Sequence, residues 1–281
     1  MVGTGSPDPI AQKHRNMNKK IAIIGGGNLG MAIAEGLIQS GFVLPKHILI
    51  TKRNIQTLHE LERKGVLVSD KNEEALHYAD LIILAIKPFQ VNDVLHSLQN
   101  DFQADRHVLV SVVTGVSIDH ITGLLGKALP VVRAMPNTAI AIQESMTCLA
   151  AKNTSEEQLQ YIMDIFNQLG RAVKIDEKLM NAATVLGACG TAFAMRYIRA
   201  NIQGGIEIGF DAATANLIAA QTVKGAAELL LKKGSHPEQE IDKVTTPKGC
   251  TIAGLNEMEH QGFSSSLIKG LVASYDKIGK D

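Results

Sequence analysis

Three stretches of the chain combine residue types and spacing that suit chemistry. The first is Gly25-Gly26-Gly27-Asn28-Leu29-Gly30, which follows the apolar run ending at Ile24 and fits G-x-G-x-x-G. In that pattern Gly25 permits a tight turn, Gly27 lets the backbone approach a pyrophosphate, and Gly30 lets the helix pack against the strand. The free N–H groups and dipole of the following helix favour an anion. A glycine-rich turn with no ligand would share the pattern, but the strand before it and the helix after it are the context expected of a dinucleotide site. The second stretch is Ile50-Thr51-Lys52-Arg53-Asn54. An NAD site places a carboxylate about 20 residues past the glycines, on the ribose hydroxyls. Here two cations stand there instead, which suits the extra phosphate of NADPH, with NADH as the alternative. Solvated loop charges are the plainer reading of Lys52 and Arg53. The third stretch, Val244-Thr245-Thr246-Pro247-Lys248-Gly249-Cys250-Thr251, opens a helix whose first N–H groups could hold a carboxylate. Thr251 adds a hydroxyl that donates or accepts. A plain helix cap by Thr246 or Thr251 uses the same residues, and propensity alone favours it.

Other chemistries find no support in the spacing. No Ser-His-Asp, Cys-His or paired-carboxylate arrangement can be assembled. Nine histidines show no metal-binding spacing. Three cysteines (Cys148, Cys189 and Cys250) are too few and too far apart for a disulfide framework or a zinc site, which fits a reducing, cytoplasmic setting. The 28 basic and 28 acidic residues cancel, so nothing points to nucleic acid or an anionic membrane. Leu179–Met195 is the most apolar long stretch, but at about 17 residues it is short for a membrane span. Reduction by a bound dinucleotide needs few protein groups beyond positioning and a proton source, because the cofactor carries the hard chemistry.

Those loops need elements to hold them. Strand-like runs at Lys20–Ile24, His47–Thr51, Val66–Val68, Asp80–Ile86, Val108–Val113, Val131–Ala134, Ser145–Ala151 and Ala172–Ile175 alternate with helical segments. That alternation predicts an α/β Rossmann-type fold, a doubly wound parallel sheet. Ala85-Ile86-Lys87-Pro88, Val112-Val113-Thr114-Gly115 and Met135-Pro136-Asn137-Thr138 then end strands on one rim, where ligands of such sheets bind. After Asp176 strand-like runs give way to helical stretches at 177–208, 212–233, 249–260 and 264–278. We therefore expect a flexible extension at 1–16 with Met17 a second candidate start, a dinucleotide-binding domain at 17–176 and an all-helical domain at 177–281. The helices of the latter are too apolar for so small a bundle, so a core shared between two chains is expected.

The chain resembles the pyrroline-5-carboxylate reductases. The resemblance runs from about Lys19 to Lys277. It rests on Ile24–Gly30, Ala85–Pro88, Met135–Thr138 and above all Val244–Leu255, a segment that generic Rossmann folding does not explain. It implies NAD(P)H-dependent reduction of the C=N bond of 1-pyrroline-5-carboxylate to L-proline. Ile24, Gly25, Gly26, Gly27, Asn28 and Leu29 would hold the pyrophosphate, and Gly30 would close the loop. Lys52 and Arg53 would lie near the 2′-phosphate, Asn72 near the adenosine ribose, and Ala85, Ile86, Lys87 and Pro88 beside the nicotinamide. Thr246, Gly249, Cys250 and Thr251 match the substrate loop, with the Thr251 hydroxyl on the ring nitrogen, and Glu177 matches a glutamate near the substrate. The resemblance also implies a homodimer interlocked through the helical domain, with assembly into a decamer of five dimers. The chain departs from the family pattern at Lys248, where the family has Gly, at Cys250, and at Gly187–Phe193. If Lys248 adopts a positive φ, the substitution costs about 1 kcal/mol. These departures leave two alternatives open: a reductase of another cyclic imine or keto acid, or a non-catalytic NADP(H)-binding protein.

Overall fold

The computed structural model describes residues 19–278, so the extension expected at 1–16 lies outside the described residues. Four residues, Ile21–Ile24, form β1, and all four are buried. An apolar run without alternation means that both faces of the strand are covered. The same holds for β2 (Ile48–Thr51), β4 (Leu81–Leu84), β5 (Val108–Ser111) and β6 (Val131–Met135). With β3 (Leu67–Ser69), β7 (Ser145–Lys152) and β8 (Gly170–Lys174) they make one eight-stranded sheet in the order β3-β2-β1-β4-β5-β6-β7-β8.

Strands β1 to β6 are parallel neighbours, joined by crossovers. Strand β7 runs antiparallel to β6, and β8 runs parallel to β7. The all-parallel sheet expected from the alternation is therefore corrected at its last two strands. Only the short 3-10 turn Thr138–Ile142 joins β6 to β7. A link of that length can reverse the chain but cannot carry it back for a parallel pairing.

Helices cover both faces. On one face α1 (Asn28–Gln39), α2 (His59–Arg63) and α6 (Glu156–Asn167) bury Ile33, Leu37, Leu61, Ile162, Ile165 and Phe166 against Ile21, Ile23, Ile50 and Ile83. On the other, α3 (Glu73–Tyr78), α4 (Val91–Leu98) and α5 (Ile118–Leu125) bury Leu76, Leu95 and Ile121 against Ala22, Ile24, Ile82 and Leu84. Successive residues of each strand thus feed opposite cores. Ser155 caps α6 as its sequence suggests, accepting from the N–H of Gln158, whose side chain returns the bond.

The described residues through Ala188 form one compact unit, and those from Cys189 form another. The composition changes earlier, at 176. The difference lies in residues 177–188, whose Met180 is fully buried in the second-face core with Ala183 and Ala188 packed against it. Residues 177–208 are not one continuous helix. A 3-10 turn (Glu177–Leu179), α7 (Met180–Ala183) and a π-helical turn (Thr184–Cys189) precede α8 (Gly190–Glu207). The second unit continues with α9 (Ala212–Lys233), α10 (Pro237–Lys243), α11 (Cys250–His260) and α12 (Phe263–Ile278). The helix α10 lies between the helical stretches expected at 212–233 and 249–260. No described helix is long and apolar enough to cross a membrane.

Candidate active site

The sheet order reverses between β1 and β4, which opens a crevice at their carboxyl ends. The glycine loop occupies that point. The N–H groups of Gly25 and Gly26 both donate to the Thr51 carbonyl, at 3.1 and 2.8 Å, which pins the loop to the end of β2. The Ala85 N–H donates to the Ile24 carbonyl at 2.8 Å, which ties β4 to the same turn. Gly25 has φ +112, and a Cβ there would lie 2.4 Å from the Ala85 carbonyl oxygen. A Cβ on Gly30 would lie 2.1 Å from the Gly25 carbonyl oxygen. Both glycines are therefore required by the fold. Gly27 differs, because a Cβ there would meet nothing within 4 Å. That open space lies at the N-cap of α1, a twelve-residue helix with no side-chain cap. Uncapped amides facing free space fit a diphosphate.

Lys52 and Arg53 follow β2 on the same edge, Lys52 half-buried and Arg53 exposed. The Thr51 hydroxyl donates to Asn72 Oδ1 at 2.6 Å, so Asn72 stands at the end of β2 with its amide N–H groups left to donate. Ala85–Pro88 follow β4, Val112–Gly115 follow β5 and Met135–Thr138 follow β6. All stand on the carboxyl edge as expected. The Asn137 side chain fixes the last loop: its Oδ1 accepts from the Ala139 N–H at 3.0 Å, and its Nδ2 donates to the Gly187 carbonyl at 3.2 Å. The Met135–Thr138 rim thus holds the π-helical turn.

Glu177 makes firm contacts within the first unit. Its Oε1 accepts from the Ile118 N–H at 2.7 Å, at the start of α5, and lies 3.7 Å from Arg133 Nη1. Arg133 is 4% exposed in the middle of β6, and its Nε has no partner among the described residues. Burial lowers the Arg133 pKa and the Glu177 carboxylate opposes that shift. Sequence reading passed over Arg133, although a lone cation inside the apolar run Val131–Met135 was a visible signal.

The second unit carries the Val244–Thr251 loop. The Gly249 N–H donates to the Thr246 carbonyl at 2.9 Å, closing a turn with Pro247 in second place and Lys248, at φ +61, in third. This is the pattern of a type II turn, whose third position favours glycine. A Cβ on Gly249 would lie 2.6 Å from Thr246 Oγ1, so Gly249 is the tight point of the loop. Gly249 is the N-cap of α11, and no side chain caps that helix. The plain-cap reading of Thr246 and Thr251 therefore fails. The amides of Cys250 and Thr251 open the helix, and Cys250 is exposed.

A switch-point glycine loop, cations in place of the ribose carboxylate, and an uncapped helix after a Pro-turned loop define a nicotinamide-dependent oxidoreductase with an added helical domain. Comparison with known proteins makes this specific. The family model for pyrroline-5-carboxylate reductase dimerisation matches residues 177–280, and that for NADP oxidoreductase, coenzyme F420-dependent, matches 20–115. Pyrroline-5-carboxylate reductase 2 of Dictyostelium discoideum is 45% identical, over 94% of this chain and 93% of its own length. Pyrroline-5-carboxylate reductase 1 of the same organism is 48% identical over 92% of this chain, which spans about half (49%) of that longer relative. The solved pyrroline-5-carboxylate reductase of Coxiella burnetii superposes with TM-score 0.88 at 29% identity, covering 93% of this chain and 98% of its own. The pyrroline carboxylate reductase of Plasmodium falciparum, solved with NADP bound, gives 0.83 at 25% identity, covering 93% and 97%. The chain belongs to the pyrroline-5-carboxylate reductase family.

Proposed function

We propose that the protein reduces 1-pyrroline-5-carboxylate to L-proline with NADPH, the last step of proline biosynthesis, in the cytoplasm. The observation that carries this reading is the uncapped start of α11 behind the Thr246–Gly249 turn. A dinucleotide fold has no need of such a loop, and its free amides suit a substrate carboxylate. The bound NADPH supplies the hydride. The protein groups do the rest. The uncapped amides at the start of α1, presented by the Gly25–Gly30 loop, bind the diphosphate, Lys52 and Arg53 the 2′-phosphate, and Asn72 the ribose. Ala85–Pro88 line the nicotinamide. The amides of Cys250 and Thr251 hold the carboxylate, with Thr246 and Gly249 shaping the turn, and the Thr251 hydroxyl meets the ring nitrogen and positions its proton. Glu177 supports the substrate side from the start of α5. Residues 17–176 form the cofactor domain, and 177–281 form the dimerisation and substrate domain, with five dimers building a decamer.

The test is a spectrophotometric assay with the pyrroline substrate and NADPH. Oxidation of NADPH matched by proline formation, and lost in Thr251→Val with cofactor binding retained, supports the reading. NADPH binding with no proline formed refutes it. Lys248 and Cys250 in the loop favour a second reading, reduction of a different cyclic imine, which a panel of ring sizes distinguishes.

A further inference from the structure

Of the loops on the carboxyl rim, Val112–Gly115 is held very differently at its two ends. At the near end the Val112 N–H donates to the Leu84 carbonyl at 3.0 Å, which ties the loop to β4. Beyond it Thr114 and Gly115 are exposed, Gly115 at φ +79, and the chain turns into α5. The far end is fixed by a carboxylate 59 residues away in sequence: Glu177 Oε1 accepts from the Ile118 N–H at 2.7 Å. An acidic group at the first amide of a helix is favourable. Glu177 stands on another segment, however, and must itself be held in place.

Arg133 does this. It pairs in register with Ser111, the last residue of β5. Its neighbours Val132 and Ala134 face the first core, so the Arg133 side chain enters the second, on the side of α5. There its Nη1 lies 3.7 Å from Glu177 Oε1. Among the described residues Glu177 is the one carboxylate that pairs with this buried guanidinium. Removing one member of a buried pair leaves the other charge uncompensated, so each group holds its partner. The backbone around Glu177 is anchored on both sides. Asp176 accepts from the Lys178 N–H at 3.1 Å, and Met180 is fully buried. The nearby Lys152 is engaged elsewhere, donating to Asp119 Oδ1 at 2.6 Å, and both of those residues are exposed.

We infer that Arg133 is a positioning residue for the nicotinamide half of the cofactor. It holds Glu177, Glu177 holds the first amide of α5, and α5 sets the Val112–Gly115 loop beside the ring that Ala85–Pro88 also line. The adenosine half, at Gly25–Gly30, Lys52 and Arg53, shares no residue with this chain of contacts. The inference rests on the nicotinamide placement proposed above and not on the identity of the imine.

The test is titration calorimetry of the full chain with NADPH and with 2′,5′-ADP, which carries the adenosine half and its 2′-phosphate but no nicotinamide. Glu177→Gln keeps an oxygen for the Ile118 N–H and removes the charge beside Arg133. Arg133→Met removes the guanidinium. Each should weaken NADPH binding by about five- to tenfold and leave 2′,5′-ADP unchanged. The double variant should lose no more than the worse single one, because both act through one contact. Lys152→Ala should change neither ligand. Ile86→Ala, on the β4 side of the ring, checks the ring's place and should weaken NADPH alone. Should Arg133→Met fail to fold, Glu177→Gln decides, since that side chain is only half-buried. Equal weakening of both ligands would assign the pair to general stability and overturn the proposal. So would additive losses in the double variant, or unchanged NADPH binding in the pair variants while Ile86→Ala responds. If Ile86→Ala is silent as well, the nicotinamide placement falls and the proposal with it.

Discussion

Lys248 is held at φ +61 in the third position of the Thr246–Gly249 turn, where an L side chain is crowded. A left-handed conformation costs a non-glycine residue about 1–2 kcal/mol. Lys248→Gly removes that cost. Against it stands the greater freedom of glycine in the unfolded chain, about 0.5–1 kcal/mol. Lys248 is exposed, so no buried packing is lost. The net expectation is a stabilisation of about 0.5–1 kcal/mol, or a Tm raised by about 1–4 °C. Lys248→Ala is the control, because it keeps a Cβ and therefore the strain, and it should give no increase. Both should be measured by circular-dichroism melts at one matched subunit concentration, since association alone shifts Tm. The same substitution also restores the family's glycine beside the amides of α11, so KM for the pyrroline substrate should change more than KM for NADPH. If Lys248→Gly melts at or below the parent, or if the alanine variant matches it, the strain argument fails.

The glycine loop offers a paired test. Gly30→Ala puts a Cβ 2.1 Å from the Gly25 carbonyl oxygen and should abolish NADPH binding in a fluorescence titration, with a lower Tm. Gly27→Ala meets no protein atom within 4 Å, so it should weaken NADPH binding and leave Tm unchanged. Arg53→Ala should lower the preference for NADPH over NADH about 10–100-fold in kcat/KM, the worth of about 1.5–3 kcal/mol for a hydrogen bond to a charged group. A variant with unaltered preference would mean that Arg53 is a solvated charge. His107 is buried, and its Nδ1 accepts from the Gln103 N–H at 2.9 Å, which leaves Nε2 to donate to the Leu76 carbonyl at 3.0 Å. Burial lowers its pKa below the ordinary value near 6.5. The unfolded chain therefore takes up the proton first, so this stability is complete above about pH 6.5 and is lost as pH falls. Urea midpoints from pH 7.5 to 5 should decline more steeply for the parent than for His107→Asn, and parallel curves would refute the assignment.

The first unit was legible because its signals were redundant. Ile21–Ile24 reads as a doubly buried strand, the glycines follow at once, and the apolar period changes at Asn28, so strand, turn and helix confirm one another. The β7 reversal was hidden because a parallel and an antiparallel strand share the same apolar run, and only the shortness of the Thr138–Ile142 link tells them apart. Arg133 was missed for a related reason: periodicity weighs the four apolar residues of β6 and treats the one cation as noise. Yet a buried guanidinium beside Glu177 links β6, the residues before α7 and the first N–H of α5. The α11 loop shows the opposite limit. Propensity favours a threonine cap, and what decides against it is the geometry around Gly249, which no local preference encodes.

The second unit carries a consequence for assembly. Its own buried core is small: Ile202, Ala215 and Ala219, with Ile198 packed against them. Around that core Ile208 is 79% exposed, Leu217 69% and Ile268 59%. Isolated exposed apolar side chains are ordinary, but a helical unit with so few buried ones cannot offset the entropy of ordering its backbone. The family model for dimerisation covers this same segment, and under the proposed homodimer a second copy of the same helices would supply the missing contacts. Folding of the second unit and pairing of the chains then become one event, so its stability depends on protein concentration in a way that the sheet, with cores on both faces, does not require.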